Sequence, residues 1–150
     1  MDPGIGSTVI HFDVYGCNER IVGSPQELHS KIRQLIEKAG FTIRAQTLDV
    51  WDSLLVGSCT SFFVLAESHV RVETWPERNM HANGEIQICN YSRDNRAHAR
   101  QLARNIITEL NAEKGEVFVL ERGPDHPLRA QASGQQTLAR FLQLPFEPPH

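Results

Sequence analysis

Apolar and polar residues alternate along this chain with two distinct periods. Thr8 to Val14 (TVIHFDV) alternates loosely and carries β-branched and aromatic residues, which predicts a first strand. After a YGCN turn, Ser24, Pro25 and Glu27 mark a helix start: a capping hydroxyl, a proline at the first helical position and a carboxylate three residues past the cap. Leu28, Ile32, Leu35, Ile36 and Ala39 then share one helical face, and Gly40 is placed to end the helix. Phe41 to Val50 reads as a second strand. A looser stretch, 51–58, separates it from the most apolar run, Ser61 to Ala66 (SFFVLA), which is short enough to be a buried strand. From His69 to Trp75 the alternation is strict. Val70, Val72 and Thr74 face one way; His69, Arg71, Glu73 and Trp75 face the other. A turn over 76–84 leads to a strand at Glu85 to Cys89. A second amphipathic helix spans about Arg96 to Ala112, with Ala99, Leu102, Ala103, Ile106 and Leu110 inward. Gly115 is expected to stop it, and Glu116 to Glu121 (EVFVLE) forms a last strand.

Strand, helix, several strands, helix, strand is an α+β pattern. It predicts a two-layer sandwich over residues 1–123, a mostly antiparallel sheet with helices on one face. The other face then needs a cover, and a partner subunit is the economical one. The proline-rich, polar segment 124–150 reads as a C-terminal extension packed on the sandwich or trailing from it, in which Leu138, Phe141 and Leu142 suit a short docking helix. No solenoid or propeller repeat is present.

Composition narrows the classes. One domain is expected from 150 residues, and 40% apolar with 22% charged residues is ordinary for a globular chain. A formal net charge of -3 argues against a nucleic-acid partner. No apolar run approaches the roughly 18 residues of a membrane span, and MDPGIGSTVI lacks the layout of a signal peptide. Cys17, Cys59 and Cys89 are an odd number without CxxC spacing, which fits reduced thiols in the cytoplasm. Gly4 and Gly6 precede any strand, so they make no dinucleotide fingerprint, and there is no GxxxxGK. His11, His29, His81, His98, His126 and His150 lack HxxxH or HExxH spacing and read as surface or packing residues; no metal site is argued.

One segment carries chemistry. Leu65 to Glu77, LAESHVRVETWPE, resembles the processing-site signature of the small bacterial and archaeal S-adenosylmethionine decarboxylases, in which an ESH step leads into a strand ending TWPE. Asp13 two residues before a YGC turn (Tyr15, Gly16, Cys17), a strand ending at Cys89, and a VxVxERG-like strand from Val117 to Gly123 agree in order and spacing. The similarity covers roughly residues 8–123.

The resemblance implies a self-processing decarboxylase. Ser68 would attack the Glu67 carbonyl, converting the amide to an ester. Elimination and hydrolysis would leave chains 1–67 and 68–150, the second capped by a pyruvoyl cofactor derived from Ser68. Such a ketone forms a Schiff base with a substrate amine and acts as an electron sink as carbon dioxide leaves. Within the resemblance, Cys89 is the general acid, since a thiol is protonated at neutral pH and can donate. Trp75 offers a face to adenine, and Glu77 accepts from the ribose hydroxyls. Trp51 is a candidate second aromatic wall and Asp13 a further substrate contact. The implied assembly is a homodimer, and the implied product supplies aminopropyl groups for spermidine.

Two positions depart from the pattern. Glu73 stands where the family has a histidine, in HTWPE, that moves protons during self-processing; Arg71 replaces a small polar residue. A carboxylate is not a simple proton donor in that place. Another relay, such as His69, would be needed, or specificity has moved. Three readings therefore stand: an S-adenosylmethionine decarboxylase, a decarboxylase of a basic amino acid (ornithine or arginine), and a non-cleaving regulatory paralogue.

Overall fold

Strand periodicity becomes a single sheet in the computed structural model, which describes residues 6–51, 57–90, 93–123 and 135–143. Among these residues the order is β1 (Ser7–Tyr15), α1 (Glu19–Val22), α2 (Pro25–Lys38), β2 (Ile43–Val50), β3 (Cys59–Leu65), β4 (Ser68–Trp75), β5 (His81–Cys89), α3 (Arg96–Leu110), β6 (Lys114–Arg122), β7 (Gln135–Thr137) and α4 (Leu138–Gln143). The sheet runs β2-β3-β4-β5-β1-β6-β7, and every pairing is antiparallel. The expected α+β sandwich is the observed architecture.

Alternation sorts the strands into two faces. Ile10, Phe12 and Val14 of β1, Val70 and Val72 of β4, and Ile86 and Ile88 of β5 are buried. They pack with Leu28, Ile32 and Ile36 of α2 and with Leu102, Ile106 and Leu110 of α3 in one core. The residues between them, His69, Arg71, Glu73 and Trp75 on β4 and His81, Asn83, Glu85, Gln87 and Cys89 on β5, are only half-buried and lie on the face away from the helices.

Several element boundaries differ from the sequence reading, each for a visible reason. β5 starts at His81, where a turn was expected. Asn83 and Gly84 are weak strand formers, but the Phe12 ring sits over Gly84 so closely that a Cβ there would lie 2.3 Å from Phe12 Cζ. Gly115 lies inside β6 and does not stop α3. Asn111 does, as a left-handed cap with φ of +51°, while a Cβ on Gly115 would meet the Asp13 carbonyl at 2.4 Å. Phe41 precedes β2 and is buried in the core. Ser24 precedes α2 without a side-chain capping bond. The one-turn helix α1, capped by the Asn18 side chain, was not anticipated.

Residues 135–143 are built onto the sandwich. β7 extends the sheet by pairing with β6, and α4 buries Leu138 and Phe141 while Leu142 stays exposed. The Arg104 side chain of α3 donates from Nε to the Phe141 carbonyl at 3.3 Å, and its guanidinium lies 5.3 Å from that ring.

Candidate active site

The pairing of Leu65 with Ser68 leaves Ala66 and Glu67 as a two-residue hairpin tip. Ser68, the first residue of β4, has φ of +140°. L side chains rarely adopt that half of the map, at a cost of about 1–3 kcal/mol. The tip is fastened on both sides. The Ala66 N–H donates to the Thr42 carbonyl at 2.8 Å, and the Thr42 N–H donates to Glu67 Oε1 at 2.7 Å. The Cys89 N–H donates to the Glu67 carbonyl at 2.7 Å. The carbonyl of the Glu67–Ser68 peptide therefore faces a fixed backbone donor, the arrangement that stabilises charge developing on an oxygen.

A chain of polar groups leads away from this peptide. Ser68 Oγ lies 3.2 Å from His69 Nδ1, and His69 Nε2 lies 3.1 Å from Glu85 Oε1. Arg71 joins the next residues: Nη1 is 3.0 Å from Glu73 Oε1 and donates to Asn83 Oδ1 at 3.1 Å, and Nη2 is 3.9 Å from Glu85 Oε2. Glu73 is thus an ion-pair partner of Arg71. It stands five residues up β4 from Ser68, about 16 Å at the usual strand rise, and does not reach Ser68 within its own chain.

Trp75, Trp51 and Glu77 gather at the far end of β4. The two indoles meet edge to face, with centroids 4.3 Å apart and planes at 79°. They form a corner that brings Trp51, the candidate second aromatic wall, against Trp75. Trp51 Nε1 donates to Thr60 Oγ1 at 3.2 Å, Ser58 Oγ donates to Glu77 Oε2 at 3.1 Å, and the Arg78 guanidinium lies 5.7 Å from the Trp75 ring. Asp13 also lies at this end, where its carboxylate pairs with His81 Nε2. The His81 ring stacks on Tyr15 at 4.5 Å. A depression of about 300 Å³ borders Trp75, Arg78, His81 and Asn83; another of about 390 Å³ lies between Arg71, Asn83, His11 and Glu116.

The residues named from the sequence therefore form two groups: Glu67, Ser68, His69 and Cys89 at one end of β4, and Trp51, Trp75, Glu77 and Asp13 at the other. His81 and Glu85 were not singled out. Their signal was the alternation of β5, which continues backwards from Cys89 through Gln87, Glu85 and Asn83 to His81 once Gly84 is admitted to the strand. The three cysteines are unpaired and unlike one another. Burial pushes the Cys17 thiol up to about 12 and raises that of Cys59. Cys89 is half-buried beside the hairpin tip.

Comparison with known proteins places the chain in a family. The family model described as S-adenosylmethionine decarboxylase matches residues 8–123. A protein named S-adenosylmethionine decarboxylase proenzyme from Pyrobaculum arsenaticum is 28% identical over 129 residues, covering 81% of this chain and 96% of that protein. A protein of the same name from Archaeoglobus fulgidus is 23% identical over 111 residues, 74% of this chain and 92% of that one. The crystal structure of the adenosylmethionine decarboxylase from Aquifex aeolicus superimposes with a TM-score of 0.68 at 22% identity, covering 80% of this chain and 92% of that one, which establishes a shared fold. Since the family match runs from β1 to the end of β6, through the hairpin that holds Ser68, this chain belongs to the S-adenosylmethionine decarboxylase family.

Proposed function

We propose that this chain is a proenzyme that cuts itself between Glu67 and Ser68 and then decarboxylates S-adenosylmethionine for spermidine synthesis. The observation that carries the proposal is the state of that one peptide. Ser68 is held at positive φ, with its hydroxyl on an imidazole and the preceding carbonyl on the Cys89 N–H. Strain raises the ground state, and the backbone donor favours the oxyanion formed when Ser68 Oγ attacks the Glu67 carbonyl. The residues around Ser68 suit the pyruvoyl cofactor that scission would leave: Glu67 is tied to Thr42, and Cys89 stands beside the new chain end. The pyruvoyl group supplies a ketone that condenses with the substrate amine and takes up the electrons released with carbon dioxide. Cys89 is positioned to hold or give a proton there, and Trp75 and Glu77 to bind the nucleoside.

Seven residues separate Ser68 from Trp75 along β4, about 23 Å at the usual strand rise. A molecule the size of S-adenosylmethionine does not bridge that distance. This supports a homodimer in which the polar sheet faces meet, so that one protomer's Ser68 approaches its partner's Trp75 and Glu77. The unpaired cysteines support a reducing, cytoplasmic setting. Among the described residues no helix is long and apolar enough to cross a membrane.

The two other readings are not favoured. Relatives across several archaea are named as proenzymes of the one decarboxylase, and Glu73 is engaged by Arg71 instead of standing free for a cationic side chain. Intact mass spectrometry should resolve chains 1–67 and 68–150, the latter blocked to Edman degradation and reactive toward carbonyl reagents. Carbon dioxide should be released from S-adenosylmethionine and not from ornithine, arginine or lysine assayed in parallel. A chain that stays at full length on prolonged incubation would remove the enzymatic reading; release from ornithine or arginine would restore the amino-acid one.

A further inference from the structure

His69, Arg71 and Glu73 on β4 share the open sheet face with Asn83 and Glu85 on β5, because residues two apart on a strand point the same way. The contacts select one tautomer of the neutral His69 ring. An ionised carboxylate only accepts hydrogen bonds, so the contact with Glu85 places the ring hydrogen on Nε2. The neutral ring then presents a lone pair at Nδ1, and the Ser68 hydroxyl donates to it across 3.2 Å. Arg71 stands 3.9 Å from the second oxygen of Glu85, and the Phe62 ring lies at 22° to the imidazole with centroids 5.7 Å apart. His69 and Glu85 keep 27% and 24% of their side-chain exposure, too little for water to compete freely for these contacts. The other groups across from His69, Val64 on β3 and Gln87 on β5, carry no charge. Arg71 and Glu85 are thus the charged groups near it, with Glu73 beyond Arg71 and His11 of β1 across from Glu85.

We infer that His69 is the base of self-cleavage and that Glu85 is its positioning residue, a relay on adjacent strands that replaces the proton transfer lost at position 73. The inference rests on the self-cleavage proposed above. The Ser68 O–H bond breaks and its proton passes to His69 Nδ1 as Oγ bonds to the Glu67 carbonyl carbon. Negative charge collects on the carbonyl oxygen, which accepts from the Cys89 N–H. The carbonyl re-forms as the carbon–nitrogen bond breaks, and the proton on Nδ1 passes to the departing Ser68 nitrogen. The products of this first step are an ester and a free amine, with no further reactant. Elimination, in which the Ser68 Cα loses a proton and the Cβ–oxygen bond breaks, then releases chain 1–67 with Glu67 as a carboxylate. Glu85 keeps Nδ1 as the accepting nitrogen and stabilises the transient imidazolium, the division of labour of a serine–histidine–carboxylate triad.

The full-length chain should be made by cell-free translation and its scission followed by denaturing gel and intact mass. His69→Ala should slow scission by about 10²-fold or more, and added imidazole should recover part of the rate. Glu85→Gln should slow it as well and displace its pH dependence. In the unsubstituted chain the rate should rise with pH as the base loses its proton, and in His69→Ala that rise should be gone. Thermal unfolding midpoints close to that of the parent chain in both variants would support a relay. Rate losses that follow losses of midpoint, without imidazole rescue, would overturn it. Equal scission rates in all three chains would overturn the relay and leave self-cleavage standing, whereas an uncut parent chain would overturn self-cleavage itself.

Discussion

His29 shows how one side chain ties helix to sheet and makes the tie sensitive to acid. It projects from α2 onto β3, with Nδ1 2.7 Å from Ser61 Oγ, Nε2 3.0 Å from Gln46 Oε1 and its ring stacked on Phe63 at 4.5 Å. Burial lowers its pKa, opposed by the Gln46 bond and aided by Arg33. A histidine whose folded pKa lies below its unfolded value leaves stability intact above the unfolded value, about 6.5. Stability is then lost as pH falls below it, because the unfolded chain binds the proton more readily. Denaturant midpoints taken between about pH 7.5 and 5 should therefore fall more for the parent chain than for His29→Gln; equal losses would place the acid sensitivity elsewhere. At this scale the motif alone named Ser68 and Cys89 as candidates. The contact that joins His69 to Glu85 was not legible there, because a hydrogen-bond chain across two strands depends on register.

Elements repeat the contrast. Helices α2 and α3 follow from apolar spacing alone, since a stripe of Leu28, Ile32 and Ile36 is buried on only one kind of surface. β5 does not, since its first half, HANG, is polar or small and becomes a strand only because β1 and β4 hydrogen-bond to it on both sides. Phe141 is the more deeply buried of the two anchors of α4, the other being Leu138. Phe141 is 1% exposed, and its carbonyl and ring both contact Arg104. Phe141→Ala should cost about 3–5 kcal/mol in the local stability of this segment. Hydrogen exchange should then quicken across 135–143, while the central strands β4 and β5 keep their protection. Uniform loss of protection would mean that α4 and the sandwich unfold as one unit.

For the whole molecule, the sheet face opposite the helices holds the decisive question. His11, Asp13, Arg71, Glu73, Trp75, His81 and Glu85 lie there on β1, β4 and β5. If two such faces meet in a homodimer, light scattering should give twice the mass of one protomer, counting both cleaved chains. Co-expression of Ser68→Ala with Glu77→Ala should then restore decarboxylation that neither variant has alone, because mixed dimers contain one intact site. Failure of the mixture, with both variants folded, would place all the machinery in a single protomer. The sequence by itself determined the order of the main strands and of helices α2 and α3, their inward faces and the cleavage motif, because these depend on local period and on residues adjacent in the chain. Only the tertiary structure decided that the Cys89 N–H meets the Glu67 carbonyl, that Glu85 and Ser68 lie on the two sides of the His69 ring, and that Trp75 stands at the other end of β4 from Ser68. Those facts depend on strand register and on the length of β4, and neither is written in the identity of any one residue.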